Sequence, residues 1–406
     1  MSEWQKVPFG SLFLVPTRNG IYKTAEFHGR GTKIVNMGEL FANDRIGKQS
    51  MERIELSEQE KKVSLLEIGD LLFARRSLVE SGAGKAAIVT ELPEETTFES
   101  SVIRVRLDQE KCNPLFYLYW LRSYNGRSAI MPLVTGVNVK GIRGSELATI
   151  IVDYPSIDIQ NRITSALSVY DDLIENNQRQ IKLLEEAAQR LYKEWFVDLR
   201  YPGHENVPVV DGVPNGWKKT VFSERVDVLS GGTPKTSNPE YYNGTIPFYS
   251  PKDSDDRFYA FDTETHISES GLENCNSKLY PEGTIIITAR GTVGKTTILA
   301  KPMAMNQYCY ALRSSQVSSV FFLFFALRQE ILVLKAMANG GVFDTIIVKT
   351  FDRINLTTPS APVIQAFDKL VTPIMEKMKS LLIENRNLSE ARDRLLPKLM
   401  SGEITV

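Results

Sequence analysis

The sequence predicts an α+β protein with a pseudo-twofold internal repeat: two mixed, mostly β domains separated by two long helices that pair as an antiparallel coiled coil. Three observations support this fold class. A chain of 406 residues, 42% hydrophobic and 24% charged, is too long for one ordinary core but has a globular composition. Its two halves repeat each other, and each half ends in a heptad pattern. The predicted boundaries are residues 1–155 and 201–359 for the domains, and 156–200 and 360–406 for the helices.

The repeat consists of four matched segments in the same order. GDLLFARRSLVESGAGKAAIV from Gly69 matches GTIIITARGTVGKTTIL from Gly283, each with an apolar run, an Ala-Arg pair and a Gly-Lys turn. The segments from Glu99, Pro114 and Val134 then match those from Asn306, Val320 and Asn339. An ordered set of matches offset by about half the chain indicates one duplicated unit.

Within each half, short β-branched runs alternate with Gly, Pro and Asn turns. The runs Ile285–Thr288 and Ala148–Val152 are typical of the short strands of an α+β domain. The apolar segments from Pro114 and Val320 predict buried helices. The second of these is too short, before Arg328, to span a bilayer, so no membrane contact is expected.

Both long helices carry apolar residues at alternating spacings of three and four, which is the heptad pattern of a coiled coil. A globular domain lies between them, so they pair most simply in antiparallel fashion. Ser156 and Ser360 are candidate N-caps, and Pro373 marks either a kink or the true start of the second helix. The predicted seam comprises Ile163, Leu167, Ile174, Asn177, Ile181, Leu184, Leu191, Phe367, Ile374, Met378, Leu381, Asn385, Leu388 and Leu395. The face outside this seam, including Tyr192, Trp195 and Phe196, is expected to be available for docking a partner, although Trp195 also fits the seam.

The net charge is −1, but the cations are unevenly distributed. Residues 111–145 and 283–329 contain no Asp or Glu. Two basic stretches free of carboxylates suit two surfaces that contact an anion such as DNA. The alternative is that both are ordinary core and loop segments with a few solvated cations.

Two motifs resemble catalytic signatures without completing them. Ala289–Thr296 has Ala where a phosphate-binding loop needs its first Gly, and the β-branched run after it stops at Pro302 rather than opening a helix. Asn238–Tyr241 lacks the second Pro of an amino-methyltransferase motif and is better interpreted as a turn before a strand. Three scattered cysteines predict neither a disulfide framework nor a zinc site. No catalytic or metal-binding residue is therefore predicted.

The remaining polar loops suit base reading. The loop from Gly231 (GGTPKTSNPEYYNGTIPFYSPKD) mixes small residues, hydroxyls, amides, lysines and aromatics, and the loop from Gly20 plays the similar part in the first half. For any single amide, a turn or capping role is the competing interpretation. The candidate DNA-binding residues are Lys23, Arg30, Lys33, Arg75, Arg76, Lys85, Asn138, Lys140, Arg143, Lys235, Thr236, Lys252, Arg290, Lys295, Asn306 and Gln307.

Four parts of the sequence together resemble the specificity subunits of type I restriction-modification systems. They are the loop from Gly231, the GTIIITARGTVGK segment followed by KPMAMNQYCYAL, the helix EEAAQRLYKEWFVD and the terminal RLLPKLMSGEI. The resemblance covers essentially the whole chain. It implies two target-recognition domains that each read half of a bipartite, asymmetric sequence in double-stranded DNA, with the helices fixing the spacer between the halves.

The resemblance also implies partners. The subunit would be inactive alone and would bind two methyltransferase subunits and, through them, two restriction subunits. S-adenosylmethionine, ATP and magnesium would be bound by those partners, and no cofactor by this chain. The start of the sequence predicts no signal peptide, so a cytoplasmic location is expected. The competing hypotheses are a nucleotide-dependent enzyme that uses the Gly291–Thr296 loop and a coiled-coil scaffold that does not bind DNA.

Overall fold

The computed structural model describes residues 4–255, 257–314, 317–337 and 345–404. It forms two compact units, here called unit 1 (Met1–Glu175 with Asn385–Val406) and unit 2 (Asn176–Glu384). Each unit therefore contains one globular domain and a part of each long helix. Residues 339–344, which open the last repeat segment of the second half, lie outside the described residues.

The globular part of unit 1 mixes short strands and short helices. Its strands are β1 (Gln5–Pro8), β2 (Phe13–Asn19), β3 (His28–Val35), β4 (Arg45–Ile46), β5 (Glu52–Ile54), β6 (Leu71–Ala74), β7 (Arg76–Ser77), β8 (Ala86–Val89), β9 (Thr96–Phe98), β10 (Val102–Leu107), β11 (Lys140–Gly141) and β12 (Ile151–Tyr154). Its helices are α1 (Met37–Ala42), α2 (Glu58–Ser64), α3 (Pro114–Arg122), α4 (Tyr124–Ile130) and α5 (Gly144–Leu147), and the long helix α6 (Ile157–Tyr192) begins in this unit.

A five-stranded sheet in the order β2-β10-β6-β8-β4 forms the centre of unit 1. Because side chains alternate along a strand, β10 buries residues on both faces of the sheet. Ile103 and Val105 join the core formed with Phe116 of α3, whereas Val102 joins the opposite core with Leu72 of β6. A second sheet, β5-β3-β9, and the pairs β1-β12 and β7-β11 complete the unit.

The globular part of unit 2 also consists of short strands and helices. Its strands are β13 (Val209–Val210), β14 (Val213–Pro214), β15 (Lys218–Val221), β16 (Asp227–Ser230), β17 (Ile246–Tyr249), β18 (Tyr259–Ala260), β19 (His266–Ile267), β20 (Ile285–Thr288), β21 (Thr296–Leu299), β22 (Ala304–Met305), β23 (Cys309–Arg313) and β24 (Asn355–Thr358). Its helices are α7 (Glu269–Glu273), α8 (Val320–Met337), α9 (Val348–Phe351) and the long α10 (Ala361–Met400), which ends in unit 1.

The two larger sheets of unit 1 and its β1-β12 pair recur in unit 2, whereas the β7-β11 and β13-β14 pairs are each described in one unit only. The five-stranded order is β16-β23-β20-β21-β18, the three-stranded order is β19-β17-β22, and β15 pairs with β24 as β1 pairs with β12. The parallel pairings β4-β8 and β3-β9 recur as β18-β21 and β17-β22. The predicted α+β class and internal repeat are therefore confirmed.

Backbone hydrogen bonds give the register of the repeat and correct one detail of the sequence alignment. The Ala74 amide donates to the Lys85 carbonyl at 2.8 Å, as the Thr288 amide donates to the Lys295 carbonyl at 2.9 Å. Ala74 thus corresponds to Thr288, and two residues further along Arg76, not Arg75, corresponds to Arg290. Matching the two Ala-Arg pairs by sequence was one residue out of register.

The two long helices are continuous over 36 and 40 residues. Pro373 was predicted to mark either a kink or the start of the second helix. It does not mark the start, because α10 already begins at Ala361. The helix α6 is prolonged by one π-helical turn at Lys193–Val197. Every predicted seam residue is buried or half-buried. Met375, which was not predicted, is more completely buried than its predicted neighbour Ile374.

In unit 1, α6 and α10 run antiparallel. The Arg392 guanidinium donates to Asp171 Oδ1 at 2.6 Å, and the Asn385 amide donates to the Ile174 carbonyl at 3.4 Å. Asp171 also accepts a 2.6 Å hydrogen bond from the Tyr119 hydroxyl of α3, and Arg45 of β4 approaches it to 3.9 Å. Burial lowers the pKa of Arg392, but the hydrogen bonds and charges of Asp171 and Asp393 together outweigh it, and the pKa is raised. Asp171 thus links both helices to the domain.

In unit 2 the helices pack through aromatic rings. Trp195 and Phe196 lie 6.0 and 4.9 Å from Phe367 of α10, ring centroid to ring centroid, and Tyr192 lies 5.8 Å from Phe325 of α8. Tyr192 and Trp195 are only 9% and 6% exposed. The expectation that Tyr192 and Phe196 belong to a docking face was therefore wrong, and Trp195 takes the alternative place in the seam, against Phe367 of α10. Phe322 and Phe325 of helix α8 cover Tyr192, and Phe322 covers Phe196, so these rings pack in the core of unit 2.

We expect Asp171→Ala to lower the free energy of unfolding by about 3–5 kcal/mol, because it leaves a buried arginine and a buried tyrosine hydroxyl without their shared acceptor. The control is Asp158→Ala on the same helix, whose ion pair with Arg162 is exposed and contributes at most about 1 kcal/mol. Urea unfolding of the full chain measures both variants. Equal losses for the two variants would contradict the proposed linking role of Asp171.

Candidate nucleic-acid interface

The second residue after the central strand of each unit is an exposed arginine, Arg76 after β6 and Arg290 after β20. The Arg75 amide donates to the Ser101 carbonyl at 2.9 Å, and the Ala289 amide donates to the Tyr308 carbonyl at 2.7 Å. Each hydrogen bond holds the next residue, Arg76 in unit 1 and Arg290 in unit 2, at the end of the sheet. The fold therefore presents a guanidinium group at the same position twice. Both residues were among the predicted DNA contacts.

In unit 2, four loops meet around Arg290. The Arg290 guanidinium lies 5.9 Å from the centre of the Tyr308 ring, and the Thr292 hydroxyl donates to the Pro251 carbonyl at 3.3 Å, beside the exposed Lys252. The Thr233 hydroxyl bonds the Gln307 side chain. We call Thr233, Lys252, Arg290, Thr292, Gln307 and Tyr308 the C-terminal loop surface. It combines cations, hydroxyls, an amide and an aromatic ring, which is the mixture that contacts phosphates and base edges.

The other predicted contacts of unit 2 have different environments. Lys235 and Thr236 are exposed in the loop that leads away from Thr233. Asn306 is only 9% exposed, and its side chain accepts a 3.0 Å hydrogen bond from the Tyr308 amide. Asn306 thus has the turn role that was the competing interpretation, and it orients Tyr308 rather than presenting its own amide.

In unit 1 the predicted contacts gather on a small two-stranded ribbon. Strand β7 pairs with β11 in antiparallel fashion, so that Gly141 lies opposite Arg76 and Lys140 opposite Ser77. The turn before β11 contains the exposed Asn138 and is permitted by Gly136, whose φ of +111° favours glycine. We call residues 76–79 and 135–141 the N-terminal ribbon. Arg143 is exposed just beyond it, at 4.0 Å from Glu146, and Arg75 donates to the Ser100 carbonyl at 3.3 Å.

Three predicted DNA contacts of unit 1 are instead engaged by carboxylates. Lys23 pairs with Glu60 at 2.8 Å, Arg30 with Glu55 at 2.5 Å and Lys33 with Glu94 at 3.1 Å. Hydrogen bonds from Lys23 and Ser57 lower the pKa of Glu60 to about 2, so this pair is charged on both sides at neutral pH. These pairs border an open cavity of about 650 Å³ that Glu95 also lines. The cationic charge of this loop is therefore balanced locally.

The repeated Gly-Lys pair is a packing turn in both units. Gly84 and Gly294 adopt φ of +71° and +80°, and a Cβ there would lie 2.5 Å from Ile130 Cγ2 or 2.8 Å from Ile331 Cγ2. Lys85 then donates to the Phe41 carbonyl at 2.6 Å. Its counterpart Lys295 lines a groove of about 430 Å³ with Arg328 and Lys335 of α8.

The hairpin geometry confirms that residues 289–296 are not a phosphate-binding loop. The Gly294 amide donates to the Thr288 carbonyl at 2.8 Å, and the Lys295 amide donates to the Thr288 hydroxyl at 3.1 Å. A phosphate loop needs such amides pointing at the ligand. A strand, β21, follows the turn where a helix would be required. The Asn238–Tyr241 motif is likewise a 3₁₀ turn, capped by the Asn238 side chain at 3.2 Å from the Glu240 amide.

Sequence reasoning missed Tyr308, Thr233 and Thr292 in unit 2 and the exposed Leu78 and Val137 in unit 1. An exposed apolar residue looks like a core residue in a sequence, so nothing marked Leu78 and Val137. Tyr308 stands directly after the predicted Asn306 and Gln307, and that proximity was the available signal. Among the described residues there is no group of three or more His, Cys, Asp and Glu side chains that could hold a metal ion, and no helix long and apolar enough to cross a membrane.

A duplicated α+β domain with a polar, cationic surface at the same edge of each copy, joined to paired long helices, defines a class of DNA-recognition proteins. Comparison with known proteins supports this class. Residues 1–186 and 214–388 match the family model described as the type I restriction modification DNA specificity domain. The chain belongs to this family.

Its curated relatives are similar over most of their length. The HindI specificity subunit of Haemophilus influenzae, a type I restriction enzyme subunit, is 26% identical over 477 residues, covering 100% of both chains. The MjaIX specificity subunit of Methanocaldococcus jannaschii is 28% identical over 71% of this chain and 69% of its own. In structure, the S subunit of a type I restriction-modification system from M. genitalium superposes with a TM-score of 0.60, at 17% identity, over 98% of this chain and 96% of its own.

We expect Arg290→Ala and Arg76→Ala each to weaken DNA binding and to make the slope of log affinity against log salt less negative by about 1, because each removes one phosphate contact. Arg30→Ala is the matched control, since its charge is already balanced by Glu55 and its loss should leave the slope unchanged. Titrating fluorescent duplex DNA with the full-length chain at several salt concentrations measures the slope. A change of slope in Arg30→Ala alone would show that the ion-paired loop is the true interface.

Proposed function

We propose that this chain is the non-catalytic subunit that chooses the DNA target of a type I restriction-modification complex, reading a bipartite, asymmetric sequence with one unit per half-site. The observation that supports this most directly is the repeated position of Arg76 and Arg290, two residues after the central strand of the same five-stranded sheet in both units. The loops around the two arginines differ in sequence. Equal scaffolds with different loops are suited to reading two different half-sites.

In this proposal the paired helices set the distance between the half-sites. Helices of 36 and 40 residues are about 54 and 60 Å long at about 1.5 Å per residue. One turn of B-DNA covers roughly 34–36 Å, so helices of this length suit half-sites more than one turn apart. The length is encoded by the number of heptads, and a change in that number changes the spacer.

The catalytic steps belong, in this proposal, to partner subunits. Two methyltransferase subunits bind this chain, and two restriction subunits are recruited through them. S-adenosylmethionine, ATP and magnesium are then ligands of those partners, and this chain supplies only target choice and orientation. The complex works in the cytoplasm, where it meets the DNA. The nucleotide-dependent alternative is disfavoured by the hairpin, because the amides of Gly294 and Lys295 are used within the turn.

The proposal is tested by footprinting and by a domain exchange. The full-length chain with its methyltransferase partner should protect two short DNA segments separated by an unprotected spacer. Replacing residues 1–155 by those of a relative should change one protected half-site and leave the other unchanged, because the units read independently. Methylation mapping in cells carrying each version gives the sequences. Protection of a single continuous segment, or of no DNA, would overturn the proposal.

A paired heptad deletion tests the role of the helices. Removing residues 178–184 from α6 and 378–384 from α10 shortens both by seven residues and keeps each seam in phase. The spacer should shorten by about three base pairs, since seven residues rise about 10 Å and a base pair about 3.4 Å. Removing only residues 178–184 is the control, which should disrupt the pairing and abolish the complex. An unchanged spacer in the paired deletion would show that the helices do not set it.

A further inference from the structure

The N-terminal ribbon exposes more apolar surface than its size explains. Val137 is 92% exposed, Leu78 84%, Val79 60% and Val139 48%. Leu78 and Val79 lie directly after β7, and Val137 and Val139 lie in the turn before β11. Single exposed apolar residues are ordinary, but four on one small ribbon form a patch that marks an interaction site.

Cations flank this patch on the same ribbon. Arg76 lies opposite Gly141 and Lys140 lies opposite Ser77. Arg143 lies two residues after Gly141, just outside the ribbon. The carboxylates nearest in sequence are Glu80 and Glu146, of which Glu146 approaches Arg143. No Asp or Glu occurs between Lys111 and Ser145. An apolar tip bordered by cations is complementary to a partner that is anionic at its edges and apolar between them.

Double-stranded DNA has this character in its major groove. Phosphates border the groove, and the 5-methyl group of thymine is an apolar group exposed on its floor. The groove admits a two-stranded β-ribbon. The ribbon is narrow enough for this role because β7 and β11 form a sheet of only two strands, to which Thr135 of the same ribbon adds one bridge with Gly141.

We propose that the N-terminal ribbon enters the major groove of the half-site read by unit 1 and that Val137 and Leu78 contact the 5-methyl group of a thymine there. This rests on the proposed function, which it deepens by assigning a chemical feature of the target to particular residues. Arg76 and Lys140 bind the flanking phosphates and fix the depth of insertion. The counterpart segment of unit 2 includes residues 338–344, which lie outside the described residues, so the proposal concerns unit 1 alone.

The experiment combines one change in the DNA with one change in the protein. The full-length chain, bound to its methyltransferase partner, is titrated with its mapped target and with duplexes in which each thymine in turn is replaced by uracil, which lacks only the 5-methyl group. At one thymine of the unit 1 half-site, uracil should weaken binding about fourfold, the effect of one buried methyl group. In Val137→Ala or Leu78→Ala, the loss of affinity caused by uracil at this position should largely disappear.

The control is Val210→Ala, an equally simple truncation of a 65% exposed valine on the β13-β14 hairpin of unit 2, which should leave the uracil penalty unchanged. All these positions are exposed, so folding is not expected to change. Three outcomes would overturn the proposal. The uracil scan has no effect in that half-site, the half-site contains no thymine, or the uracil penalty persists in both ribbon variants.

A fall in methyltransferase binding by Val137→Ala, with the uracil penalty intact, would show that the patch docks a protein instead. The proposed function is tested separately in the same samples. If the wild-type complex protects two half-sites but shows no uracil penalty, only the ribbon proposal fails. If it protects none, the proposed function fails first.

Discussion

The antiparallel contact of α6 with α10 is the constraint on which both units depend. Each helix carries an apolar stripe that is too long to be covered by a short helix or a strand, and each covers the stripe of the other. In unit 1 the alignment is fixed by polar groups at Asp171, Arg392 and Tyr119, and in unit 2 by the rings around Phe367. Aromatic packing tolerates small shifts, whereas a buried carboxylate that accepts from both an arginine and a tyrosine does not. The polar contact therefore fixes the register of the pair in unit 1, and the apolar contacts supply much of the stabilising area.

The elements that local sequence determines were predictable. Heptad spacing gave the two long helices to within a few residues, and the repeated segments gave the duplicated α+β fold. What failed depended on contacts between distant residues. Tyr192 and Phe196 were assigned to a docking face because the heptad pattern describes only the pairing of two helices. It contains no information about a third helix, and α8 covers those two rings.

The site was predictable in its residue types and less so in its geometry. Arg76 and Arg290 were selected, but Lys23, Arg30 and Lys33 were selected with equal weight. Their partners Glu60, Glu55 and Glu94 lie between 25 and 61 positions away, so a count of charges along the sequence cannot find them. The exposed ribbon was missed for the opposite reason. Its valines and leucine have the composition of a buried strand, and only the fold shows that the described residues of unit 1 leave them exposed.

Unit 1 is completed by residues from the far end of the chain. Leu396, Leu399 and Met400 of α10 belong to the same core as Phe9, Phe116 and Leu167, although more than two hundred residues separate them from α6. A ribosome that adds about 5–20 residues per second needs roughly 10–40 s to pass from residue 175 to residue 385. During that interval the first domain is on the outside of the ribosome with part of its core uncovered. The order of synthesis thus leaves an apolar surface of the first domain uncovered until the last turns of α10 have been made, and chaperones bind exposed surface of this kind.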